Sequence, residues 1–318
     1  MKNVLVTGCA GYVGGSVVDQ LIKSNKYNIR GYDNLLYTDT YMQKIEFVNG
    51  DIRDEAKLKT QLDWADCVIH LAAIVGDAAC SLYPKETVAI NEKAVEFISK
   101  NFNGRIIFCS TCSVYGMQDG VLTEDSPANP LSLYAGTKYA AEKYLKGKNA
   151  LIFRLGTLYG IGYRFGRCRF DLVVNVMSSD AFINKKLTVF GGEQYRPLLH
   201  VRDAAYMLIR AIEHDYIGVY NLASKNINIS DLGQLVASRI KGCELETIDM
   251  KFEDSRNYQV DCSKAAQDIS FDVEKAILIE EGVDEIVKIL NEGRIKNPKN
   301  CIHSNEFFLG KLKYNGNK

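Results

Sequence analysis

The sequence has no excess of charge of either sign, no repeat and no low-complexity block. Lysine plus arginine number 39 and aspartate plus glutamate also number 39, so the formal net charge is zero. Nucleic-acid-binding proteins usually carry a large basic excess, and the balance therefore disfavours general DNA or RNA binding. A local basic pocket for a small anion remains compatible with a balanced total.

Long hydrophobic runs are also missing. The longest apolar stretch covers residues 67–80 and is interrupted by His70 and Asp77, so it is too short and too polar to span a bilayer. Residues 1–8 lack the basic start and long apolar run of a signal peptide. The nine cysteines, an odd number, do not suggest a disulfide scaffold. We therefore expect a cytoplasmic protein with free thiols and no membrane partner.

What the first half does contain is an alternation of short β-branched runs with longer amphipathic segments. Its predicted strands are residues 4–6, 29–32, 45–48, 67–71, 105–109 and 150–154, and its predicted helices are residues 14–24, 55–62, 85–100 and 132–147. Such alternation is typical of an α/β fold in which helices cover both faces of a parallel sheet.

The pattern after about residue 155 is less regular. The predicted helices there are residues 170–182, 201–214, 230–240 and 283–291, and the predicted strands are residues 187–190 and 219–221. We predict a cofactor-binding sheet in residues 1–155, and a smaller mixed α/β C-terminal lobe in residues 156–292 that binds substrate and interleaves with the sheet. Residues 293–318 are predicted to be a loosely held tail.

The first predicted strand ends in a glycine-rich turn, TGCAGYVG at residues 7–14, and the first helix follows at once. Glycines in such a turn allow a tight bend and a close approach of the backbone to a pyrophosphate, while the helix N-terminus supplies N–H groups to the anion. Glycine triplets also occur in plain turns, but the order strand, turn, helix, strand supports a dinucleotide site.

Asp33 ends the second predicted strand, nineteen residues after Gly14. A carboxylate at this point can accept hydrogen bonds from a ribose 2′-hydroxyl and would repel a 2′-phosphate. Taken alone, Asp33 would be read as a surface aspartate in a turn. Together with the glycine turn, it predicts NAD rather than NADP.

Tyr134 and Lys138 lie four residues apart on the helix predicted at 132–147 and therefore share one face. A cation beside a phenol favours the phenolate, and a phenol tuned in this way can exchange a proton with a sugar hydroxyl. Tyr-x-x-x-Lys is common by chance in a chain with 18 tyrosines. Its interpretation is strengthened by Thr111, at the end of the strand predicted at 105–109, whose hydroxyl is placed to orient the substrate oxygen.

Further segments extend this pattern. They are DNL at 33–35, GDIRD at 50–54, HLAA at 70–73, Asn91, RLGTLYG at 154–160, RPLLHVRD at 196–203 and DSR at 254–256. In combination with the glycine turn and Thr111, Tyr134 and Lys138, they resemble the extended short-chain dehydrogenase/reductase family, the NAD-dependent sugar-nucleotide epimerases and dehydratases. The resemblance covers residues 3 to about 270 and implies a Rossmann-type, doubly wound parallel sheet.

The resemblance also implies a set of site residues. For the cofactor, NAD, they are Gly8, Gly11, Tyr12, Val13, Gly14, Asp33, Asn34, Leu35, Asp51, Ile52, Leu71, Ala72, Ala73, Asn91, Tyr134 and Lys138. For a nucleotide-linked sugar they are Thr111, Tyr134, Thr157, Asp171, Asn175, Arg196 and Arg256, with the two arginines as candidates for the diphosphate.

This chain departs from the family pattern at three positions. Thr157 replaces the usual asparagine. The acidic pair that moves protons in the family's 4,6-dehydratases is replaced by Cys112 and Ser113, neither of which is a good general acid or base at neutral pH. The sequence therefore disfavours dehydration. The segment RCRFDLVVN at 167–175 resembles a subgroup of the family without identifying its substrate.

The leading hypothesis is a nucleotide-sugar 4-epimerase in which Tyr134 takes the C4 hydroxyl proton, Lys138 lowers its pKa and Thr111 orients the oxygen. The same residues serve a 4-dehydrogenase or a 4-ketoreductase, and a non-catalytic NAD-binding sensor or scaffold is a further alternative. Cys109-x-x-Cys112 has no second pair of ligands, so no metal site is predicted. The helices predicted at 85–100 and 132–147 correspond to those that form a homodimer interface in the family.

Overall fold

The structure, a computed structural model, describes residues 1–38, 41–248 and 257–316. The strands in these ranges are β1 (Lys2–Thr7), β2 (Tyr27–Asp33), β3 (Glu46–Asn49), β4 (Cys67–His70), β5 (Arg105–Thr111), β6 (Met117–Leu122), β7 (Ala150–Leu155), β8 (Thr157–Tyr159), β9 (Lys186–Phe190), β10 (Tyr195–His200), β11 (Gly218–Leu222), β12 (Lys225–Asn228), β13 (Glu244–Ile248) and β14 (Asn257–Val260).

The helices begin and end close to the predicted residues where the sequence pattern is strongly periodic. They are α1 (Tyr12–Ser24), α2 (Glu55–Trp64), α3 (Asp77–Leu82), α4 (Pro84–Val88), α5 (Ala94–Asn101), α6 (Leu133–Leu145), α7 (Val173–Asn184), α8 (Val201–Arg210), α9 (Ile229–Arg239), α10 (Ser263–Ile269), α11 (Ile279–Asn291) and α12 (Asn305–Gly316). A π-helical turn, Ala89–Lys93, joins α4 to α5, so the helix predicted at 85–100 is present but irregular.

Seven parallel strands form the main sheet in the order β11-β7-β5-β4-β1-β2-β3. Strands β4, β5 and β7 are buried at every position, as strands covered on both faces must be. The strand order reverses between β1 and β4, and ligands of doubly wound sheets bind at the carboxyl ends of the strands at such a point. The predicted Rossmann-type α/β fold is confirmed.

Two apolar layers cover the sheet. Side chains of α1, α8 and α10 pack on one face, where Val17, Leu208 and Ile269 are buried. Side chains of α2, α5 and α6 pack on the other, where Leu58, Ile98 and Leu145 are buried. Because α5 and α6 pack side by side against the sheet, part of their apolar surface is buried within one chain. The homodimer stays a prediction.

The second lobe has its own apolar core between α7, α9, α11 and the strands β9 and β12. Strands β8, β10 and β12 form a small sheet, β9 pairs with β13, and β6 pairs with β14. Meanwhile β11 joins the main sheet beside β7, and α8 packs against α1. The two halves thus interleave, and the boundary at residue 155 stays a prediction of the sequence.

The prediction of a loose tail at 293–318 is wrong for the described part of that segment. A 3₁₀ turn, Cys301–His303, is followed by α12, which packs against α3. Leu309 is buried there beside Ala79 and Cys80. The segment is polar enough to resemble a tail, but Leu309 is buried and Asn305 hydrogen-bonds to Val75, Arg167 and Asp171, and these long-range contacts hold it in place.

Candidate functional site

A cavity of about 1110 Å³ lies at the carboxyl ends of the main-sheet strands, where the strand order reverses. Its wall includes the glycine turn, the ends of β2, β4 and β5, the start of α6, the loop before α7 and the start of α12. Ligand pockets commonly measure roughly 300–1,000 Å³, so this cavity has room for an extended ligand or for two ligands.

The glycine turn forms a tight cradle at one end of the cavity. Gly8 has φ +71°, and a Cβ there would lie 2.7 Å from the Ala72 amide nitrogen. A Cβ on Gly14 would collide with the Gly8 carbonyl oxygen. Helix α1 begins at Tyr12 with no side-chain cap and no acidic residue in its first turn. The cradle therefore fits a pyrophosphate that approaches the backbone closely.

The carboxylate of Asp33 stands at the end of β2 beside this cradle. Its oxygens accept hydrogen bonds from the amides of Ala10, at 2.9 Å, and Leu35, at 2.8 Å. Burial raises the pKa of Asp33, and these amides oppose that shift. A carboxylate has about four acceptor sites, so capacity remains for ribose hydroxyls. The surroundings of Asp33 fit the adenosine half of NAD.

Residues at the end of β4 form another part of the cavity wall. The Thr7 hydroxyl bonds with Nδ1 of His70 at 2.8 Å and accepts from the amide of Leu71 at 3.2 Å. Burial lowers the pKa of His70 to about 3, so the imidazole is neutral at neutral pH. This arrangement ties β1 to β4 and turns Leu71, Ala72 and Ala73 toward the cavity.

Helix α6 brings Tyr134 and Lys138 to the cavity, which Thr111 of β5 also lines. Ser132 caps the helix by accepting from the amide of Ala135 at 3.2 Å, and its hydroxyl donates to Asp77 at 2.6 Å. The Lys138 ammonium is buried and donates to the carbonyl oxygen of Cys109 at 2.8 Å. The predicted triad therefore lines one cavity.

The charges near Tyr134 differ from the expectation that Lys138 alone lowers the pKa of the phenol. Burial raises the pKa of the Tyr134 phenol, and Cys80 adds to this shift, whereas the guanidinium of Arg169 opposes it. Burial lowers the pKa of the Lys138 ammonium to about 8. The effect of Lys138 on the phenol stays a prediction, and Arg169 is a second cation that favours the phenolate.

A buried ion pair lies one helical turn beyond Lys138. The Glu142 carboxylate accepts two hydrogen bonds from Arg154 on β7, at 3.1 and 2.8 Å, and one from the Ser110 hydroxyl at 2.5 Å. Arg154 also donates to the Tyr115 hydroxyl at 2.9 Å. The pair connects α6 to β5, which carries Thr111, and to β7.

A cationic cluster lies on the substrate side of the cavity. Arg169 forms a two-point ion pair with Asp171, at 2.8 and 3.1 Å, and Arg167 stacks over the Tyr37 ring at 3.9 Å. Burial, followed by the charge of Arg169, lowers the pKa of Arg167 to about 10. Among the described residues, neither Nη2 of Arg167 nor the Tyr37 hydroxyl has a hydrogen-bond partner.

Most predicted site residues line this cavity. They are Gly8, Gly11, Tyr12, Val13, Gly14, Asp33, Asn34, Leu35, Asp51, Ile52, Leu71, Ala72, Ala73, Thr111, Tyr134, Lys138, Thr157, Asp171 and Arg196. The Tyr12 hydroxyl is already used, because it donates to the Gly160 carbonyl oxygen at 2.6 Å. Arg256 lies outside the described residues.

The structure places Asn91 and Asn175 behind the cavity wall. The Asn91 side-chain amide bonds with the backbone N–H and C=O of Ile74, at 2.9 and 2.8 Å. Asn175 accepts from the Gly160 amide at 2.9 Å and donates to the Arg169 carbonyl oxygen at 2.7 Å. Both are buried and hold loops that line the cavity, so the predicted direct contacts with cofactor and substrate are not supported.

Several cavity residues were missed by the sequence reasoning: Tyr37, Val75, Asp77, Arg167, Arg169, Ser304, Asn305 and Glu306. Arg167 and Arg169 stood in a segment noted only for its resemblance to a subgroup. Ser304 and Asn305 could have been found as a helix start, because they are capping residues that precede the apolar Phe307, Phe308 and Leu309.

Two kinds of feature are missing from the described ranges. None of the helices there is long and apolar enough to cross a membrane. Nor do residues 1–38, 41–248 and 257–316 bring three or more His, Cys, Asp or Glu side chains together as a metal site.

Comparison with known proteins agrees with this geometry. Residues 4–223 match the model of the NAD dependent epimerase/dehydratase family. The chain is 30% identical to a putative UDP-glucose 4-epimerase of Methanocaldococcus jannaschii, over 89% of this chain and 97% of the relative. It is 28% identical to a UDP-glucuronate 4-epimerase of Thermodesulfobacterium geofontis, over 90% and 95%.

Solved structures give the same result. The UDP-glucuronic acid 4-epimerase of Bacillus cereus, in complex with UDP-glucuronic acid and NAD, superposes with a TM-score of 0.79 at 25% identity, covering 91% of this chain and 99% of that one. The family match covers more than half of the chain, and the cavity has the cradle and the carboxylate that NAD requires. The protein therefore belongs to the NAD dependent epimerase/dehydratase family, and its cofactor is NAD.

Proposed function

We propose that this protein is a nucleotide-sugar 4-epimerase. The observation that carries the proposal is the meeting of Thr111, Tyr134 and Lys138 in the cavity that also contains the glycine cradle and Asp33. A pure NAD-binding protein has no need of a hydroxyl, a phenol and an ammonium gathered where the nicotinamide end of the cofactor must lie. The 4-epimerase relatives support the reaction type.

In the proposed mechanism, NAD supplies reversible hydride transfer at the sugar C4 carbon. The Tyr134 phenolate accepts the proton of the C4 hydroxyl and later returns it. The Thr111 hydroxyl orients that oxygen, while its own oxygen accepts from the Ser113 amide at 3.1 Å. Lys138 holds a positive charge beside the reacting groups, and Arg169 adds a second one.

The residues after Thr111 support epimerisation over 4,6-dehydration. Burial raises the pKa of the Cys112 thiol well above its usual value, and the thiol faces the Arg154 carbonyl oxygen at 3.2 Å. The Ser113 hydroxyl bonds with the Tyr258 hydroxyl at 3.2 Å. Neither group is placed or tuned to move a proton at neutral pH. Dehydratases do occur among the relatives, so this is a proposal about residues 112 and 113 of this chain.

A panel of UDP-, GDP-, CDP- and dTDP-sugars tests the proposed function. With NAD bound, one of these sugars is expected to yield its C4 epimer without net accumulation of NADH, because the hydride returns to the sugar. Products are separated by chromatography, and NADH absorbance is recorded in the same samples. Lasting NADH formation would instead support the 4-dehydrogenase, and extraction of NADP from the protein would contradict the role of Asp33.

Within this function, we infer that the sugar carries a negative charge, as in a nucleotide-linked hexuronate. The cluster of Arg167, Arg169 and Asp171 contains two arginines and one carboxylate, which pairs with Arg169. Nη2 of Arg167 has no partner among the described residues. An unpaired buried guanidinium donor is costly unless a ligand satisfies it. The 4-epimerases that are named for a uronic acid support the same substrate class.

Replacing Arg167 with methionine is expected to lower kcat/KM for a hexuronate substrate by about 10- to 100-fold, since a hydrogen bond to a charged group contributes roughly 1.5–3 kcal/mol. The corresponding neutral hexose is expected to share part of this loss, because the change also removes the Arg167–Asn305 hydrogen bond. Its loss is expected to be at least about threefold smaller than that of the hexuronate, and steady-state kinetics with both sugars measures the difference. Arg164→Met, at an exposed arginine of the same loop, is the control. Equal losses for both sugars would contradict the inference.

A further inference from the structure

Asn305, the first residue of α12, hydrogen-bonds to two separate loops that line the cavity. Its side-chain N–H donates to the Val75 carbonyl oxygen at 2.7 Å, and its side-chain oxygen accepts from Arg167 at 2.7 Å. Its backbone amide donates to the Asp171 carboxylate at 2.7 Å. Asn305 itself is buried and lies on the cavity wall.

These contacts connect two parts of the cavity wall that are distant in the sequence. Val75 follows β4 and the cofactor-side segment Leu71–Ala73, whereas Arg167 and Asp171 belong to the loop before α7 on the substrate side. The residues before Asn305 add hydrogen bonds to the loop before α7. The Phe170 amide donates to the His303 carbonyl oxygen at 2.8 Å, and Arg167 donates to the Ile302 carbonyl oxygen at 2.6 Å.

The body of α12 extends the connection toward the reacting residues. Leu309 is buried with Ala79 and Cys80 of α3, and Tyr134 packs against this cluster. Phe308 contacts the Tyr37 ring, with ring centroids 5.0 Å apart. The segment from Ile302 to Leu309 thus contacts the loop after β2, helix α3 and the loop before α7.

We propose that Asn305 is a positioning residue that holds the cofactor-side and substrate-side walls of the cavity at a fixed separation, and so sets how tightly the sugar is bound. One of its side-chain hydrogen bonds goes to Val75 and the other to Arg167, so a substitution that keeps one bond and breaks the other uncouples the two walls. Asn305→Asp does this. It keeps the acceptor for Arg167 and turns a carboxylate oxygen toward the Val75 carbonyl, where repulsion replaces a hydrogen bond.

The first measurement is hydrogen–deuterium exchange of the full-length protein, which does not depend on the proposed function. Amides in 71–83 and 161–173 are expected to exchange at least about fivefold faster in Asn305→Asp than in the wild type. Lys311→Gln is the control, since it lies exposed on the same helix and changes the net charge by the same amount. Unchanged exchange in both segments would overturn the proposal.

The second measurement rests on the proposed function. The KM of Asn305→Asp for the nucleotide sugar is expected to rise by about tenfold, with kcat within about threefold of the wild type, because the variant alters a wall and not the reacting groups. Faster exchange beside an unchanged KM would show a merely structural role and overturn the proposal. If the wild type itself epimerises no sugar in the panel, the proposed function fails, and the exchange result still decides whether Asn305 joins the walls.

Discussion

Replacing Tyr134 with phenylalanine is expected to lower kcat for epimerisation by about 100- to 10,000-fold, the range that a positioned general acid–base contributes. The ring remains to pack against α3 and α12, but no group is left to take the C4 proton. Because the nucleotide sugar is bound mainly by other residues, its Kd is expected to change little. Stopped assays of epimer formation and calorimetric titration of the sugar measure the two effects.

Tyr139→Phe is the matched control for this variant. Tyr139 lies on the same helix, α6, where the Lys143 ammonium lies over its ring at 4.4 Å. We expect this control to retain wild-type turnover. If Tyr134→Phe retained more than about a tenth of the wild-type kcat, Tyr134 would not be the general acid–base, and the alternative of a non-catalytic NAD-binding protein would gain support.

Replacing Arg154 with methionine is expected to lower the free energy of unfolding by about 3–5 kcal/mol, the cost of breaking a buried ion pair by removing one partner. The side chains of Arg154 and Glu142 are only 6% and 5% exposed, so the change leaves a carboxylate buried without its cation. Chemical denaturation, monitored by circular dichroism, measures the loss.

The control is Arg239→Met, which breaks the ion pair of Arg239 with Asp284 on the surface. Those side chains are 43% and 47% exposed, and such pairs contribute about 0–1 kcal/mol. The double variant Glu142→Gln/Arg154→Met is expected to lose less unfolding free energy than the two single variants lose in sum, since no unpaired charge remains. A loss of less than about 1 kcal/mol for Arg154→Met would contradict this account.

The periodic parts of the fold could be predicted from the sequence because local rules determine them. Buried parallel strands read as continuous apolar runs, so the strand predicted at 105–109 lies within β5. The irregular parts could not. Helix α12 and strands such as β10 depend on contacts with distant segments, and their own residues show no clear period.

The candidate site also contains residues whose role the sequence predicts and residues whose role it does not. Tyr134 and Lys138 share a helix face by their spacing, and Gly8 and Gly14 are required where a Cβ would meet backbone atoms. Asn91 and Asn175 are equally polar and near the cavity, yet both amides are used by neighbouring backbone groups. Sequence spacing does not reveal whether the hydrogen-bonding capacity of a polar side chain is already satisfied.

The sequence by itself determined the sheet, the NAD cradle and the pairing of tyrosine with lysine, because turn geometry and helix periodicity act over a few neighbouring residues. Only the tertiary structure decided the substrate side. It brings Arg167 and Asp171 together with Asn305, more than 130 residues further along the chain. Such contacts depend on burial and on hydrogen bonds between distant segments, and no local pattern in the sequence encodes them.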